Sequence, residues 1–450
     1  MGRRSGSIRN RTATITGVVA IEGASVTHST NAILGAGIAG LAAAKAARDM
    51  GKPATVYEAR DRAGGLLDNF TIDGFRFDTA VHLSFATEPE VREVFDRTPF
   101  ITHKPEATNW DHGYWLKHPA QTNMFPLPWE EKVELILGLA ENTDGEIRNY
   151  RDWLIQQYGL PIAERWPLVY TEKYWTLPAE KLGTDWIGQR MRRADLREVL
   201  QGALTAETPN HYYVKEMRYP ERGGYRAFIE PLIEAADVRL GHRLSRIDPI
   251  SRRLEFAQGE VTTYDRLVST LPLPTLINCI ESVPDEVRRN AATLFATSLD
   301  LVSVGFKRED VPPALWFYIY DRDIKAARAY SPSWKSPDNA PPGCSSLQFE
   351  IYSSPQAPQD QTPEQLKQGI VGALGTMGLA SPEDILVLDH RTVPFANVVF
   401  DLGMEERRDS IIRWLNTMDI QCAGRFGEWA YLWSNQAMMS GLKAGVSAFT

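Results

Sequence analysis

The chain has 450 residues and an acidic composition, with 57 Asp and Glu against 49 Lys and Arg and a formal net charge of −8. This balance argues against a nucleic-acid partner, so an anionic ligand needs a local basic pocket. A hydrophobic content of 43% supports large cores in two or three domains.

The count and spacing of the cysteines and the length of the apolar segments narrow the class of protein further. The three cysteines, Cys279, Cys344 and Cys422, have neither a metal-ligand spacing nor an even count. We therefore predict no metal site, and reduced thiols in a cytoplasmic protein. No segment has about 18 uninterrupted apolar residues, which predicts no membrane span.

The N-terminus, MGRRSGSIRNRTATITGVVAIEGAS, has a basic start and a short apolar run, as an export signal does. Glu22 interrupts that run, which is also too short to cross a bilayer. We interpret residues 1–29 as an N-terminal extension that is either mobile or the result of a start codon assigned too early.

Three glycines in the stretch AILGAGIAGLAAAKAARDMGKPATVYEARDRAGG, residues 32–65, have the spacing of a dinucleotide-binding turn. Gly35 allows a sharp bend after a strand, Gly37 lets the backbone approach a pyrophosphate, and Gly40 lets the following helix pack closely. Free N–H groups and the helix dipole then face the phosphates. The spacing predicts a Rossmann-like turn.

The residues after these glycines complete the expected unit. An alanine-rich helical stretch runs from Leu41 to Met50, and the segment ATVYE indicates a second strand that ends at Glu58. An acid at this position, about 20 residues beyond the glycines, accepts both ribose hydroxyls. Glu58 therefore favours an unphosphorylated ribose.

The glycines alone do not separate NAD from FAD, since both cofactors present the same ADP half. The segment EARDRAGG resembles the second signature of the glutathione-reductase-like flavoproteins, which include the amine oxidases. That resemblance implies FAD. We assign Arg60, Gly64 and Gly65 of this segment, and Leu66 directly after it, to the cofactor site.

The C-terminal segment IQCAGRFGEWAYLWSNQAMMSGLKAG indicates a strand, a glycine turn and an amphipathic helix beginning near Asn435. In the flavoproteins that it resembles, this segment returns to the first domain and offers a helix N-terminus to the flavin ring. A helix dipole there stabilises negative charge on a reduced flavin. Its implied cofactor residues are Gly424, Arg425, Asn435 and Gln436.

The two ends of the chain should therefore meet in one domain. The predicted class is α/β: a Rossmann-like FAD-binding domain with a helical insert and a second, mixed β-sheet substrate domain. Helical periodicity and strand-like alternation indicate where each domain lies in the sequence. We predict the FAD-binding domain over 30–90, 216–297 and 396–450, the helical domain over 130–215, and the sheet domain over 91–129 and 298–395.

Further segments are similar to those of the UDP-galactopyranose mutase family, in the same order and at roughly the same spacing, from about residue 30 to the end. They are GFRFDTAVHLSF, KHPAQTNMFPLP, YTEKYWTLPAEKLGTDWIGQRM, RYPERGGYRAFI and GRFGEWAYLWSNQ. The resemblance implies a FAD-binding domain, a helical domain and a twisted sheet domain. It also implies interconversion of the pyranose and furanose rings of a nucleotide sugar.

Carried over position by position, the resemblance implies roles for individual residues. His82 matches a loop histidine beside the flavin, and Arg190 matches an arginine that grips the substrate diphosphate. A packed core histidine and a solvated helix arginine are the respective alternatives. The implied catalytic residues are His82, Arg190, Lys307 and Arg328, and the implied substrate-binding residues are Gln121, Asn123, Trp175, Arg190, Arg308 and Tyr431.

The chain also departs from the family. Ala80 and Val81 stand where the family has a glycine pair before its loop histidine, which predicts a loop that moves less or sits differently. His118 stands where a tyrosine commonly stacks near the nucleobase. Lys307 can neutralise a phosphate but cannot make the two-pronged contact of an arginine. The identities of the sugar and the base stay open.

The sequence lacks the usual motifs of protein nucleophiles, so the cofactor is expected to supply the reactive atom. We predict a nucleotide-sugar mutase in which N5 of reduced FAD attacks the anomeric carbon, with NAD(P)H as a candidate external reductant. The alternative is an FAD-dependent oxidoreductase of the amine-oxidase or desaturase type, which takes hydride from a small substrate. A flavin-holding partner protein without turnover is a third hypothesis, and homo-oligomerisation stays open.

Overall fold

The computed structural model describes residue 2 and residues 26–188, 195–209 and 216–450. We number its strands in chain order: β1 (Val26–Leu34), β2 (Thr55–Tyr57), β3 (Asn69–Ile72), β4 (Phe75–Asp78), β5 (Phe100–His103), β6 (Ala107–Asp111), β7 (Tyr114–Lys117), β8 (Met217–Pro220), β9 (Asp237–Arg239), β10 (Leu244–Asp248), β11 (Arg253–Phe256), β12 (Val261–Ser269), β13 (Ser298–Phe306), β14 (Trp316–Ile319), β15 (Arg328–Tyr330), β16 (Ser345–Ser353), β17 (Ile385–Val393) and β18 (Ile420–Cys422).

The α-helices are numbered in the same way: α1 (Ile38–Asp49), α2 (Pro89–Phe95), α3 (Trp129–Ala140), α4 (Tyr150–Tyr158), α5 (Leu160–Arg165), α6 (Pro167–Trp175), α7 (Leu196–Leu204), α8 (Glu230–Glu234), α9 (Leu273–Cys279), α10 (Asp285–Thr293), α11 (Pro332–Lys335), α12 (Pro363–Thr376), α13 (Met404–Asn416), α14 (Gly424–Gly427) and α15 (Ser434–Phe449). Among the described residues, no helix combines the length and apolar character needed to cross a bilayer.

The first sheet has the strand order β10-β11-β12-β1-β2-β9, with β18 also beside β12. Strands β1, β2, β9, β12 and β18 run parallel, and their carboxyl ends meet at one edge. The strand–turn–helix–strand unit from β1 to β2 lies at the centre of this sheet, as predicted for a Rossmann-like domain. Strand β1 begins at Val26, inside the range that we interpreted as an extension.

The second sheet is mixed and has the order β17-β13-β16-β15-β14-β6-β7. Its strands come from 107–117 and 298–393, and alternating apolar side chains of β13 and β16 pack under helix α12. Strand β14 runs parallel to β6, while the other pairs are antiparallel. The predicted α/β class with a second mixed sheet is confirmed.

Helices α3 to α7 lie between residues 129 and 204 and pack beside both sheets. Their apolar side chains belong to a cluster that also contains residues of the first sheet, such as Leu267, and the 398–400 segment. A second cluster joins α1 to α15, where Gly441 and Gly445 allow close approach of the two helices. This packing brings the C-terminal helix back to the glycine turn.

Candidate active site

The first and third glycines of the turn are required by the backbone itself. Gly35 has φ of +94°, and a Cβ there would lie 2.3 Å from Oγ1 of Thr270. A Cβ at Gly40 would lie 1.9 Å from the carbonyl oxygen of Gly35. Gly35 N–H donates to the carbonyl of Tyr57 at 2.8 Å, which ties the turn to β2. Substitution at either glycine would force the turn apart.

Gly37 differs, because a Cβ there would meet no protein atom within 4 Å. It is the N-cap residue of α1, whose first turn has neither a side-chain cap nor an acidic residue. Open space beside uncapped N–H groups suits a pyrophosphate. On the other side of the turn, the Glu58 carboxylate accepts Ala36 N–H at 2.8 Å and Arg60 N–H at 2.9 Å.

The second glycine pair packs against this turn. Gly64 N–H donates to the carbonyl of Ala36 at 2.8 Å. Gly64 and Gly65 have φ of +126° and +59°, and a Cβ at Gly65 would lie 3.2 Å from Cα of Gly37. Arg60 donates to the carbonyl of Gly65 and to Asp68, both at 3.3 Å. The two glycine signatures therefore form one surface.

The C-terminal segment joins the same surface. Gly424 has φ of +78°, and a Cβ there would lie 2.7 Å from Cβ of Ala39 in α1. Helix α15 begins at Ser434, one residue before the predicted start, and its N-terminus is capped by Gln436. Asn435 is buried and donates to Glu88 at 2.8 Å. The C-terminal segment therefore returns to the glycine turn, as predicted.

A buried donor near this helix lacks a partner. Trp429 is fully buried with φ of +52°, and its Nε1–H has no hydrogen-bond partner among the described residues. Arg425 is fully engaged nearby, because it donates to the carbonyls of Leu432 and Ala396 and to Asn397. The open space at Gly37 and the donor of Trp429 fit a bound dinucleotide such as FAD.

His82 lies on the segment that follows β4. Its Nδ1 is 2.9 Å from the carbonyl of Ala80, so Nδ1–H donates and Nε2 is left with the lone pair. Burial, opposed by Asp78 and reinforced by the positive charge of Lys335, lowers the pKa of His82 to about 4. The imidazole is therefore neutral at pH 7.

A buried ion pair lies beneath this histidine. Lys335 and Asp78 are both buried, and Nζ of Lys335 is 3.2 Å from the Asp78 carboxylate. Asp78 also accepts the hydroxyl of Tyr219 at 2.8 Å and the N–H of Tyr225 at 3.1 Å. With every partner satisfied, the pair fixes the start of the His82 segment.

Arg328 and Glu350 form a second buried pair, on adjacent strands of the second sheet. Nε of Arg328 donates to Glu350, which is fully buried. Glu350 also accepts the hydroxyl of Tyr352 at 2.5 Å and Val81 N–H at 3.2 Å. Burial alone would lower the pKa of Arg328, but the Glu350 carboxylate raises it well above its ordinary value. One carboxylate thus joins the His82 segment to the arginine.

Aromatic side chains continue from Arg328 towards the C-terminal segment. The Arg328 guanidinium lies 5.4 Å from the centre of the Tyr174 ring. The Tyr174 hydroxyl is 3.2 Å from the hydroxyl of Tyr431 and 3.2 Å from Oδ1 of Asn397. The ring of Trp175 is 5.5 Å from that of Tyr431. Together these side chains present hydroxyls and one cation. We call the row from Arg328 to Tyr431 the polar wall.

The wall extends in the other direction to His118. The His118 ring stacks on Tyr318 at 4.7 Å, Tyr318 meets Tyr170 at 5.2 Å, and Tyr170 stacks on Tyr174 at 5.2 Å. Oε1 of the nearby, buried Gln121 has no hydrogen-bond partner among the described residues. An acceptor left open in this way suits a ligand N–H.

With this geometry in view, residues 38–415 match the family of flavin-containing amine oxidoreductases. The chain belongs to this family. Membership implies FAD as the cofactor, in agreement with the glycine surface.

Solved structures refine the comparison within the family. A crystal structure of reduced UDP-galactopyranose mutase has a TM-score of 0.87 and 26% identity, covering 93% of this chain and 94% of that one. A putrescine oxidase bound to putrescine has a TM-score of 0.63 and 17% identity over 94% and 99% of the two chains, which shows the fold alone. The resemblance to the UDP-galactopyranose mutase family is thus confirmed at the level of structure.

Curated relatives point elsewhere in the same family. The 15-cis-phytoene desaturase of Arabidopsis thaliana is 32% identical over 161 residues, which are 29% of this chain and 28% of the desaturase. The chain thus matches little more than a quarter of that relative's length. This short match supports the flavoprotein family and leaves the reaction open.

Several predicted substrate residues lie apart from the wall or are otherwise engaged. Lys307 and Arg308 follow the far end of β13, five residues or about 17 Å of strand beyond the level where Leu301 pairs with Glu350. Arg308 donates there to the carbonyl of Leu379 at 2.6 Å. The extended strand separates them from Arg328. Arg190 lies outside the described residues.

Other predicted residues have structural partners. Asn123 is buried and donates to the carbonyl of Pro119 at 2.8 Å, while its Oδ1 accepts Thr208. Leu66 packs against Leu299 and Leu301 of β13. These residues shape the surfaces around the wall.

Sequence reasoning missed Glu350 and Tyr352. A signal was present: in β16, an acid stands among apolar residues in the segment SSLQFEIYSS. The two-residue period of a strand places Gln348, Glu350 and Tyr352 on one face. A charge inside a buried strand needs a partner, and here the partner is Arg328 on β15.

One cluster could hold a metal ion among the described residues. Ligand atoms of Asp111, His112 and Asp321 lie within 4.8 Å of one another, beside an open cavity of about 450 Å³. Asp111 already accepts Arg165 at 2.8 Å and Trp166 at 3.1 Å. Because these donors use the carboxylate, we assign no metal here.

We expect His118 to make the protein sensitive to acid. Burial lowers the pKa of His118 to about 4 from its ordinary 6.5, so the unfolded chain takes up a proton before the native state does. Because of His118 alone, the free energy of unfolding should fall as the pH drops from about 6.5 towards 4, by about 2 kcal/mol at pH 5, and His82 adds a loss over the same range. Urea titrations of the wild type and a His118 variant at pH 7 and pH 5 measure the His118 contribution as the difference between their losses.

The matched variants are His118→Asn and, at an exposed histidine, His28→Asn. His118→Asn should lose less stability than the wild type between pH 7 and pH 5, whereas His28→Asn should follow the wild type. Equal pH dependence in wild type and His118→Asn would show that His118 is solvated in the native state.

Proposed function

We propose that this flavoprotein is a nucleotide-sugar mutase that interconverts pyranose and furanose forms. The observation that supports it most is the polar wall that runs from Arg328 to Tyr431, in which the Arg328 guanidinium donates to the hydroxyl of Tyr352 and lies over the ring of Tyr174. Phosphate and sugar hydroxyls need such donors. The similarity to UDP-galactopyranose mutase over almost the whole chain points the same way.

The length of the wall suits an extended ligand. We place the diphosphate at Arg328, the sugar between Tyr431 and His82, and the base towards Gln121 and His118. His118 is neutral and stacks on Tyr318, so its ring edge can contact a base without adding charge. The unsatisfied oxygen of Gln121 would select a base that presents an N–H group.

Charge at the phosphate position needs more than Arg328. Glu350 neutralises most of its charge, so a diphosphate requires a second cation. We propose Arg190 in that role from the resemblance, in place of Lys307 and Arg308 on the far end of the sheet. These cations would also stabilise the negative charge of the departing nucleotide.

When bound in its reduced form, FAD supplies an electron-rich N5 that can attack the anomeric carbon. Gly37 and Glu58 would hold the ADP half. The N-terminus of α15 would stabilise negative charge on the reduced ring. His82, with its neutral Nε2, would accept a hydrogen bond from a bound ligand. The hydrogen bond from Val81 N–H to Glu350 keeps that segment in place.

A hydride-transferring oxidoreductase is the second candidate, because the curated relatives are desaturases and the family is one of oxidoreductases. A polyene or other apolar substrate would be expected to meet apolar walls. Arg328, Glu350 and five tyrosines instead present charge and hydroxyls; the tyrosines are Tyr170, Tyr174, Tyr318, Tyr352 and Tyr431. This polarity favours the mutase.

Thermal unfolding with a panel of nucleotide sugars tests the proposal. Binding to the native state raises its stability by about 2.7 kcal/mol at a ligand concentration of 100 times Kd. We expect at least one nucleoside diphosphate hexose to raise the Tm of the reduced protein, and the free hexose to leave it unchanged. A shift with an amine or a polyene, and with no nucleotide sugar, would favour the oxidoreductase.

We also propose a cytoplasmic location, supported by three cysteines without a disulfide. NAD(P)H stays a proposed source of electrons. Both proposals follow the sequence argument.

A further inference from the structure

The segment that follows His82 is attached to the start of helix α15. The ring of Phe85 meets that of Trp433, the N-cap residue of α15, edge to face, with ring centres 4.5 Å apart. Nδ2 of Asn435, in the first turn of the helix, donates to Oε1 of Glu88 at 2.8 Å. Two side-chain contacts therefore hold this segment against the N-terminus of the helix.

A third contact runs through Tyr225, which is fully buried. Its hydroxyl is 2.8 Å from Oγ of Ser434, the first residue of α15, and its ring centre is 5.1 Å from that of the His82 ring. Its backbone N–H donates to the Asp78 carboxylate at 3.1 Å, within the buried pair with Lys335. The start of α15 and the His82 segment therefore form one connected unit, in which each charge has a fixed position.

Glu88 brings a negative charge to this unit. Its Oε2 accepts Thr87 N–H at 3.0 Å, and its Oε1 accepts the Asn435 side chain, so both donors are neutral. Among the described residues, no cation forms an ion pair with this carboxylate. The first turn of α15 has no acidic residue of its own. Glu88 therefore supplies a charge that the sequence of the helix lacks.

A carboxylate beside a helix N-terminus opposes any other anion at the same place. The N–H groups of the first turn attract negative charge, and this attraction falls off within that turn. Two negative charges at one N-terminus repel each other, and the repulsion is stronger where water is excluded. Asn435 is buried, and its hydrogen bond fixes Glu88 beside that turn.

We propose that Glu88 lowers the reduction potential of the bound flavin. This inference rests on the proposed function, in which the N-terminus of α15 faces the flavin ring. The helix there favours the negative charge that the ring gains on reduction, and the Glu88 carboxylate partly offsets that effect. The reduced ring is thus kept electron-rich, as attack by N5 requires. Asn435 holds the carboxylate in place and is a positioning residue.

The reduction potential of the flavin-loaded full chain, measured without any nucleotide sugar, tests this inference. Glu88→Gln removes the charge and keeps an oxygen that can accept from Asn435. In anaerobic titrations against a reference dye, the ratio of reduced to oxidised flavin at a given potential should rise by about tenfold, or about 30 mV for a two-electron couple. Glu88→Asp keeps the charge and should remain close to the wild type.

The matched control is Glu90→Gln. Glu90 is exposed and lies in the first turn of α2, two positions after Glu88. Its substitution removes the same charge from the same helix without touching the contact with Asn435. The flavin of this variant should titrate as that of the wild type does.

The contact and the charge of Glu88 are separated by a further variant. Glu88→Ala removes both and should raise the potential at least as far as Glu88→Gln, and it gives the same readout if Glu88→Gln retains too little flavin. A Glu88→Gln potential equal to or below that of the wild type would overturn the inference. So would a rise in Glu90→Gln as large as that in Glu88→Gln. A shifted potential beside a failed mutase assay would overturn the proposed reaction alone.

Discussion

Replacing Gly37 with valine should yield a folded protein that retains no flavin. A Cβ at this position would meet no protein atom within 4 Å, so the turn itself has room for a side chain. The valine side chain would fill the space beside the N–H groups of α1, where the pyrophosphate is expected. Flavin absorbance per polypeptide and the far-UV circular dichroism spectrum measure the two effects separately.

The matched control is Gly372→Val, in α12 of the other domain. A Cβ there also meets no atom within 4 Å, so this variant reproduces the cost of a valine at an open helix position without touching the turn. It should keep its full flavin content. A Gly37→Val protein that is as yellow as the control would show that the pyrophosphate binds elsewhere.

Replacing Arg328 with methionine should abolish activity and destabilise the fold. The change leaves Glu350 as a buried carboxylate without its cation, which typically costs about 3 to 5 kcal/mol of the free energy of unfolding. Activity should fall by at least a hundredfold, because the phosphate loses a charge-assisted donor worth roughly 3 kcal/mol. Urea denaturation and initial rates measure the two losses.

The double variant Arg328→Met with Glu350→Gln separates these effects. Removing both charges should recover most of the stability, since no buried charge is left unpaired, while activity stays lost. Arg391→Met, at a half-exposed arginine on β17, is the control and should change neither quantity. Recovery of activity in the double variant would reduce Arg328 to a structural role.

The cofactor side of the site was predictable from the sequence because its rules are local. Gly35 needs a positive φ, Gly40 meets the backbone of its own turn, and Glu58 follows within one βα unit. Each requirement acts over a few residues, so spacing alone expresses it. The α/β class followed from the same pattern, whereas the return of the C-terminal helix was implied by the resemblance to flavoproteins.

The substrate side depends on contacts that spacing does not express. Glu350 accepts hydrogen bonds from Arg328, on a neighbouring strand, and from the N–H of Val81. Val81 lies 269 positions before Glu350 in the chain. Lys307 and Arg308 have a suitable charge, yet the straight path of β13 takes them to the other end of the sheet. The register of the strands decides both which residues meet Glu350 and where Lys307 and Arg308 lie.

The glycine pair that this chain lacks is explained by the same contacts. Ala80 packs on Leu299 and Leu301, and Val81 donates its N–H to Glu350 at 3.2 Å. The Ala80 side chain therefore anchors the segment before His82 in a way that a glycine would not, and the backbone N–H of Val81 adds a second contact. Of the two outcomes that the sequence left open, the structure favours a loop that moves less.

The central claim is that reduced flavin serves a reaction without net oxidation, and its dependence on redox state tests it most directly. Under anaerobic conditions, the dithionite-reduced protein should convert a nucleotide sugar to its ring isomer many times per reduction event, and the oxidised protein should be inactive. Chromatography of the sugar products together with the flavin spectrum follows both quantities. If the reduced protein converts no nucleotide sugar, while the oxidised flavin bleaches on addition of an amine or a polyene and recovers in air, the mutase account is contradicted.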